Sequence, residues 1–342
     1  MEGGGVGDAV ASSGPGRGEA RGKRRVSWGQ AGVGVVLLVV IAAAALRPLL
    51  ERLLGNAAVA HWATIFVAIA IQAMPFLALG VAVSAAVAAF VPAGALPRLL
   101  PRRPALAVPV AAVAGAALPG CECGSVPIAR RLVNQGVPPA AALTFLLSAP
   151  AINPVVLVAT AVAFPGKPQV VVARAVASLV AATAVGLVWA RLGRDDLLAR
   201  ARRGHHHEGP PLSVFAETAQ HDFLNAGGFL IVGAATAATL QTVVPRSVLD
   251  AVSGSGMLAL LALAALAVVM AVCSEADAFI AASLTQFSLT ARLAFMVVGP
   301  MVDVKLIALQ AGTFGGRFTM RFAPLTLAVA VASAAVVGWW IL

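Results

Sequence analysis

Three cysteines are the groups in this chain best suited to holding a soft cargo. Cys121 and Cys123 stand in LPGCECGSVPIARRLVNQG, residues 118–136, with Glu122 between them, and Cys273 opens CSEADAFIAASLTQFS. Thiolates favour soft metals and metalloids, so two or three of them could bind a trivalent arsenic species, Cu(I) or Zn(II). A structural zinc site normally takes four ligands, and no nearby histidine completes one. His205, His206 and His207 fall in a polar linker and read as solvated chain. An odd cysteine count leaves at least one thiol unpaired in a monomer, so no disulfide framework is expected. The competing readings for the cysteines are inert small packing residues and a redox-active CxC pair, and the second lacks any cofactor motif.

Charged residues inside apolar sequence are the second set with chemistry to offer. Asp303 and Lys305 lie in VVGPMVDVKL, Glu275 and Asp277 follow Cys273, and Glu122 sits within the CxC. An unpaired charge in a bilayer is costly, so such residues mark a pathway or a pair. Asp303 and Lys305 are two residues apart and share no ideal helical face, so direct pairing between them needs a local break in the helix. LLSAPAINPVV supplies that kind of break in the first part of the chain. There Pro150 and Pro154 interrupt an apolar run and leave Ser148 and Asn153 free to bond released backbone or a solute, and Pro300 holds the equivalent place later. A helix cap is the plainer reading of Asn153. Ser125, Ser274 and Thr144 are weaker candidates, because small hydroxyls also serve membrane helix packing.

These residues must be positioned by membrane helices. The chain has 342 residues, 60% of them hydrophobic and only 11% charged, arranged as long apolar runs. That pattern specifies a polytopic membrane protein. Tyrosine is absent and aromatics amount to 6%, which fits poorly with an aromatic-girdled β-barrel. The expected fold class is an all-α polytopic membrane protein. A net charge of +10 raises nucleic acid as a partner. The basic residues lie beside apolar runs, however, so membrane topology accounts for them and no nucleic-acid partner is expected.

Two segments align in order with two later ones. QAMPFLALGVAVSAAVAAFVP places Phe76, Gly80 and Pro92 on Phe229, Gly233 and Pro245 of NAGGFLIVGAATAATLQTVVP. FLLSAPAINPVVLVA places Phe145, Pro150 and Asn153 on Phe295, Pro300 and Asp303 of FMVVGPMVDVKLIAL, and Cys121 answers to Cys273 at nearly the same spacing. This duplication predicts two repeats, 61–192 and 214–342. Arg17 to Arg25 place the N-terminus in the cytoplasm, as Arg98, Arg102 and Arg103 do the loop after the next helix. The basic linker 193–213 belongs there as well, which works only if residues 105 to about 134 enter the membrane and leave on the same side. Each repeat then has about three transmembrane helices and a re-entrant helical hairpin, the second hairpin running from Met257 to about Thr290. Three crossings per repeat make the two halves inverted, as in many secondary transporters. A basic cytoplasmic tail at 1–30 and one extra transmembrane helix at 31–54 precede them. Basic residues before an apolar run also occur in signal peptides, but the long lead favours a retained segment. The C-terminus is expected outside.

The two segments LPGCECGSVPIARRLVNQGVPPAAALTFLLSAPAINP and CSEADAFIAASLTQFSLTARLAFMVVGPMVDVKL resemble the ArsP/YraQ-like family of predicted bacterial permeases, a likeness covering residues 60–342. The resemblance implies a multi-pass protein of the bacterial cytoplasmic membrane. Members of the ArsP branch are efflux permeases for trivalent organoarsenicals that involve cysteine chemistry, which makes Cys121, Cys123 and Cys273 candidates for handling cargo. CSE lacks the two-cysteine spacing of CEC, so the number of thiolates in any site stays open. The expected function is a permease of the secondary-transporter type, non-enzymatic and without Walker sequence. Its expected cargo is a soft, thiol-reactive solute, proton coupling is one option, and no cofactor is required. The alternatives are a zinc or other metal permease or channel and, in another class, a membrane thiol oxidoreductase or a structural membrane partner. The lipid bilayer and a small solute are the expected partners, and the sequence sets no oligomeric state.

Overall fold

The computed structural model describes residues 57–342 apart from 93, 102, 118–119, 194–197, 199–209 and 244–255. The tail expected at 1–30, the extra helix expected at 31–54, Pro119 and His205 to His207 lie outside the described residues, as does most of the linker. The described residues form thirteen α-helices and no strand. Hydrocarbon offers backbone groups no partners, and a helix satisfies them within its own segment.

The first half contains α1 (Ala57–Phe90), α2 (Ala95–Leu99), α3 (Pro104–Ala116), α4 (Glu122–Asn134), α5 (Pro139–Ile152), α6 (Pro154–Ala163) and α7 (Pro168–Leu192). The second contains α8 (Pro211–Val243), α9 (Gly256–Met270), α10 (Asp277–Ser283), α11 (Leu289–Val298), α12 (Val304–Phe314) and α13 (Gly316–Ile341). A similar order recurs in both: a long helix, short helices (three in the first half, two in the second), a helix broken in its middle, and a long helix. Proline at the first turn opens α3, α5, α6 and α7, where its missing N–H costs nothing.

Among the described residues, five stretches are long and apolar enough to cross a membrane, namely α1, α5 with α6, α7, α8 and α13. At a rise of about 1.5 Å per residue, a hydrocarbon core of roughly 30 Å needs about 20 residues. The 13 residues of α3 and the 15 of α9 are too few to cross alone. The outer surface is apolar, with Ile71, Val113, Val158, Leu258, Trp339 and Trp340 exposed. Such a surface suits lipid, and the chain is a multi-pass helical membrane protein.

The breaks fall at slightly different residues from those expected. Helix α5 runs through Pro150 and ends at Ile152, so the interruption is at Asn153, immediately before Pro154. The ring of Pro154 drives the preceding residue out of the helical region, and Asn153 is extended at φ −69°, ψ 159°. Gly124 and Pro127 lie inside α4, and that helix begins just after Cys121. Cys121 is therefore an extended cap residue and Cys123 belongs to the first helical turn. The second broken helix has the wider gap, with Gly299 to Asp303 between α11 and α12.

Helices α3 and α4 both lie against α5, and α9 and α10 both lie against α11. Between the halves, α1 packs on α8 and α7 on α13, while α4 reaches α12 and α10 reaches α6. Trp189 of α7 meets Phe318 and Phe322 of α13 edge-on, at ring separations of 5.3 and 5.5 Å, a favoured aromatic geometry. Helix α4 is seated by glycine. A Cβ at Gly80 of α1 would collide with the backbone of Gly124, and one at Gly124 would meet Phe76 O. Small residues that let membrane helices approach closely hold the cysteine-bearing helix in place.

Candidate functional site

The two broken helices are restarted by the same device. Asn153 caps α6, its Oδ1 accepting the Val156 N–H at 2.9 Å. Asp303 caps α12, its Oδ1 accepting the Leu306 N–H at 2.6 Å. Both side chains are fully buried. A break inside a membrane protein frees backbone N–H groups that need acceptors, and a short polar side chain with extended backbone supplies one. Asn153 also donates from Nδ2 to Gly120 O at 3.0 Å and to Ala149 O at 3.1 Å. It thereby fastens the segment leading into Cys121 to the first break.

Lys305, the second residue of α12, draws the second break to α4. Its ammonium lies 2.5 Å from Glu122 Oε1 and 3.7 Å from Asp303 Oδ2. It also donates to Ala271 O at 3.0 Å and approaches Cys273 Sγ at 3.8 Å. Glu122 Oε1 is in ionic contact without hydrogen-bond alignment, and neither Glu122 Oε2 nor Asp303 Oδ2 has a hydrogen-bond partner among the described residues. All three charged residues are fully buried. The local helix break therefore does let Asp303 and Lys305 approach, although the closest carboxylate to Lys305 comes from the other half.

A second buried pair joins the halves in the opposite sense. Arg174 of α7 lies 2.8 Å from Asp277 Oδ2, at the first residue of α10. The same guanidinium donates to Ser274 O at 3.1 Å and to Thr160 Oγ1 of α6 at 2.9 Å. Arg174 is fully buried and Asp277 nearly so. Each acid stands at the first residue of the helix that follows a cysteine, and each is answered by a cation from the other half.

The remaining candidates divide. Cys121, Cys123 and Cys273 are buried free thiols, and Cys123 and Cys273 lie within Coulombic range of Lys305. Among the described residues no group of three or more His, Cys, Asp or Glu is arranged to hold a metal ion. Glu275 is half-buried in the turn before α10, in Coulombic range of Glu122, Lys305 and Arg174. Ser148 donates to Phe145 O at 3.3 Å, within its own helix. Pro150 lies in the last turn of α5, Pro154 opens α6, and Pro300 sits in the turn before Asp303.

Two residues of this network went unnoticed in the sequence. Arg174 was legible as a lone charge in the apolar run from Val170 to Ala190. Asp222 of α8 was less so. It lies 3.4 Å from Arg130 and 3.7 Å from Arg131, and accepts from Ser84 Oγ of α1 at 3.4 Å. Those arginines stand near the C-terminal end of α4, where positive charge also suits the helix dipole.

Residues 58–339 match the family ArsP_1, described as "Predicted permease". The chain is 37% identical over 281 residues to UPF0718 protein YcgR of Bacillus subtilis, covering 80% of this chain and 96% of that one. It is 30% identical over 282 residues to a Streptococcus mutans protein whose name proposes a subunit of a two-component membrane permease complex, covering 80% and 94%. No solved structure matches significantly.

Proposed function

The chain belongs to the ArsP/YraQ-like family of membrane permeases, and on that premise we propose that it is a secondary transporter exporting a soft, thiol-reactive solute. Trivalent organoarsenicals are the class the ArsP branch suggests, with a proton as the coupling ion. The observation that carries this reading is the buried junction at Lys305. There charged groups from both halves meet beside Cys123 and Cys273, at the point where helices are broken. A central site formed by broken helices is the arrangement from which alternating access is built. Thiols on both sides of that junction could pass a metalloid between them. Several thiolates closing on it at once would hold cargo too tightly to release it.

In this reading the halves are inverted repeats, with α3–α4 and α9–α10 as re-entrant hairpins. The recurring order of helices, the paired caps Asn153 and Asp303, and the crosswise contacts of α4 with α12 and α10 with α6 support it. The N-terminus is cytoplasmic and the C-terminus outside, in the cytoplasmic membrane. Reporters fused near Arg130, Lys167 and Gly204 should read inside, outside and inside. An outside signal at Gly204 rejects the inverted arrangement.

Reconstitution tests the cargo. Purified protein in liposomes should take up a trivalent methylarsenical faster with a proton gradient than without, in preference to arsenite, zinc or Cu(I). The rate should fall in Cys121→Ser, Cys123→Ser and Cys273→Ser. Full arsenical transport in all three variants would remove the cysteines from the pathway. Thiol turnover without transport would favour an oxidoreductase.

A further inference from the structure

The two cross-half ion pairs occupy matching places and differ in one respect that decides what each can do. At Arg174 the charges balance one for one, a guanidinium against the Asp277 carboxylate, with Ser274 O and Thr160 Oγ1 taking two further donor contacts. Arginine stays charged in any protein environment. Asp277 Oδ1 and Arg174 Nε lack hydrogen-bond partners among the described residues, but the pair carries no surplus charge.

At Lys305 the count is uneven. One ammonium faces the two carboxylates of Glu122 and Asp303, and all three side chains are fully buried. Both oxygens of Glu122 and Oδ2 of Asp303 have no hydrogen-bond partner among the described residues, Glu122 Oε1 being in ionic contact only. A surplus negative charge in a buried site is costly until a cation or a proton offsets it. The groups around the ammonium are also those that would surround a small hard cation: two carboxylate oxygens and the main-chain carbonyl of Ala271. Ala271 follows the last residue of α9 in a left-handed conformation at φ 46°, which L residues with a side chain rarely adopt. Its carbonyl nonetheless accepts from Lys305. The other ionisable groups in range of Lys305 include Cys123 on α4, and Cys273 and Glu275 ahead of α10, while Asp277 lies in range of Glu122.

We infer that Lys305 is a tethered cation seated in a site for one monovalent cation, and that each transport cycle exchanges that cation against the Lys305 ammonium at Glu122 and Asp303. When the cation binds, it takes the place of the ammonium at the two carboxylates and leaves their charge count unchanged, so the tie between α4 and α12 is released and the two halves are free to move apart. When it leaves, the ammonium returns and closes the junction. The Arg174–Asp277 pair stays made throughout and acts as the fixed tie about which the halves shift. The shared chemistry is a single positive charge, and a proton and an alkali cation are its two sources. This mechanism rests on the permease reading and deepens it at the same residues.

The test needs no cargo. Full-length protein in liposomes on a solid-supported membrane is given a pH jump, a Na⁺ jump or a K⁺ jump at constant ionic strength, and the charge displaced is recorded. One of the three jumps should give a saturable displacement, and the responding ion names the source. In Lys305→Gln the half-saturating cation concentration should fall by about tenfold or more, the scale of removing one adjacent charge worth roughly 1.4 kcal/mol. In Glu122→Gln, which leaves Lys305 and Asp303 balanced, the displacement should vanish. The second variant keeps the question answerable if the first does not fold. No displacement in the unaltered protein, or a midpoint in Lys305→Gln within twofold of it, overturns the inference. Methylarsenical uptake in the same vesicles separates the two ideas, since uptake without cation dependence leaves the permease standing and removes only the exchange.

Discussion

Replacing Arg174 by leucine should destabilise the protein by about 3–5 kcal/mol, the usual cost of removing one partner from a buried ion pair. The loss comes from what is left behind. Asp277 is 2% exposed and would be left in the interior with no cation at 2.8 Å, either as an uncompensated charge or as an acid forced to take up a proton. Ser274 O would lose its donor, whereas Thr160 would still donate to Val156 O at 2.7 Å. Replacing both partners, as Arg174→Leu with Asp277→Leu, should recover most of that loss, because no charge is orphaned and buried pairs often give way to apolar residues at little cost. Thermal unfolding of the purified variants in one detergent compares them directly. A double variant as unstable as the single one would place the damage in packing around α7 and α10 rather than in the ion pair. A stable single variant would mean that Asp277 finds another partner or water.

How much of this was legible beforehand depends on the range over which each interaction acts. Local features were readable: Asn153 as a cap, proline immediately after it, and a short apolar segment ahead of the CxC. The register of the breaks was harder. Pro150 looked as disruptive as Pro154, yet α5 accommodates it and stops at Ile152. The difference is that Pro154 acts on Asn153, whose side chain can take over a backbone N–H once the helix stops, whereas Ala149 before Pro150 has no such side chain. Long-range partners were not readable at all. Nothing near Lys305 in the sequence points to Glu122, and nothing near Arg130 points to Asp222. Those pairs arise from how α4 meets α12 and α8, a choice made by packing surfaces such as the Gly80–Gly124 approach. Arg174 lies between the two cases, since its isolation in an apolar run announced a partner without naming one.

Asp303 allows cap and charge to be separated by one atom. Its Oδ1 accepts the Leu306 N–H, and its Oδ2 faces Lys305. Asparagine keeps the first role and removes the second. The chain itself shows that asparagine suffices as a cap, because Asn153 performs the same bond at the matching break with a comparable distance of 2.9 Å. Asp303→Ala should therefore lose the cap, worth about 0.5–2 kcal/mol, together with the charge. Asp303→Asn should remain as stable as the unaltered protein or become more so, because Lys305 is left with Glu122 alone and the junction becomes charge-balanced like the pair at Arg174. Transport in Asp303→Asn should nevertheless drop by about tenfold or more, the scale of a single altered charge contact of roughly 1.4 kcal/mol. Unfolding in detergent and methylarsenical uptake in liposomes, measured on the same preparations, report the two effects independently. Normal uptake in Asp303→Asn with impaired folding in Asp303→Ala would reduce Asp303 to a cap. Intact folding with lost uptake in Asp303→Asn would show that an uneven charge count, rather than the carboxylate's place at the helix start, keeps the junction able to open.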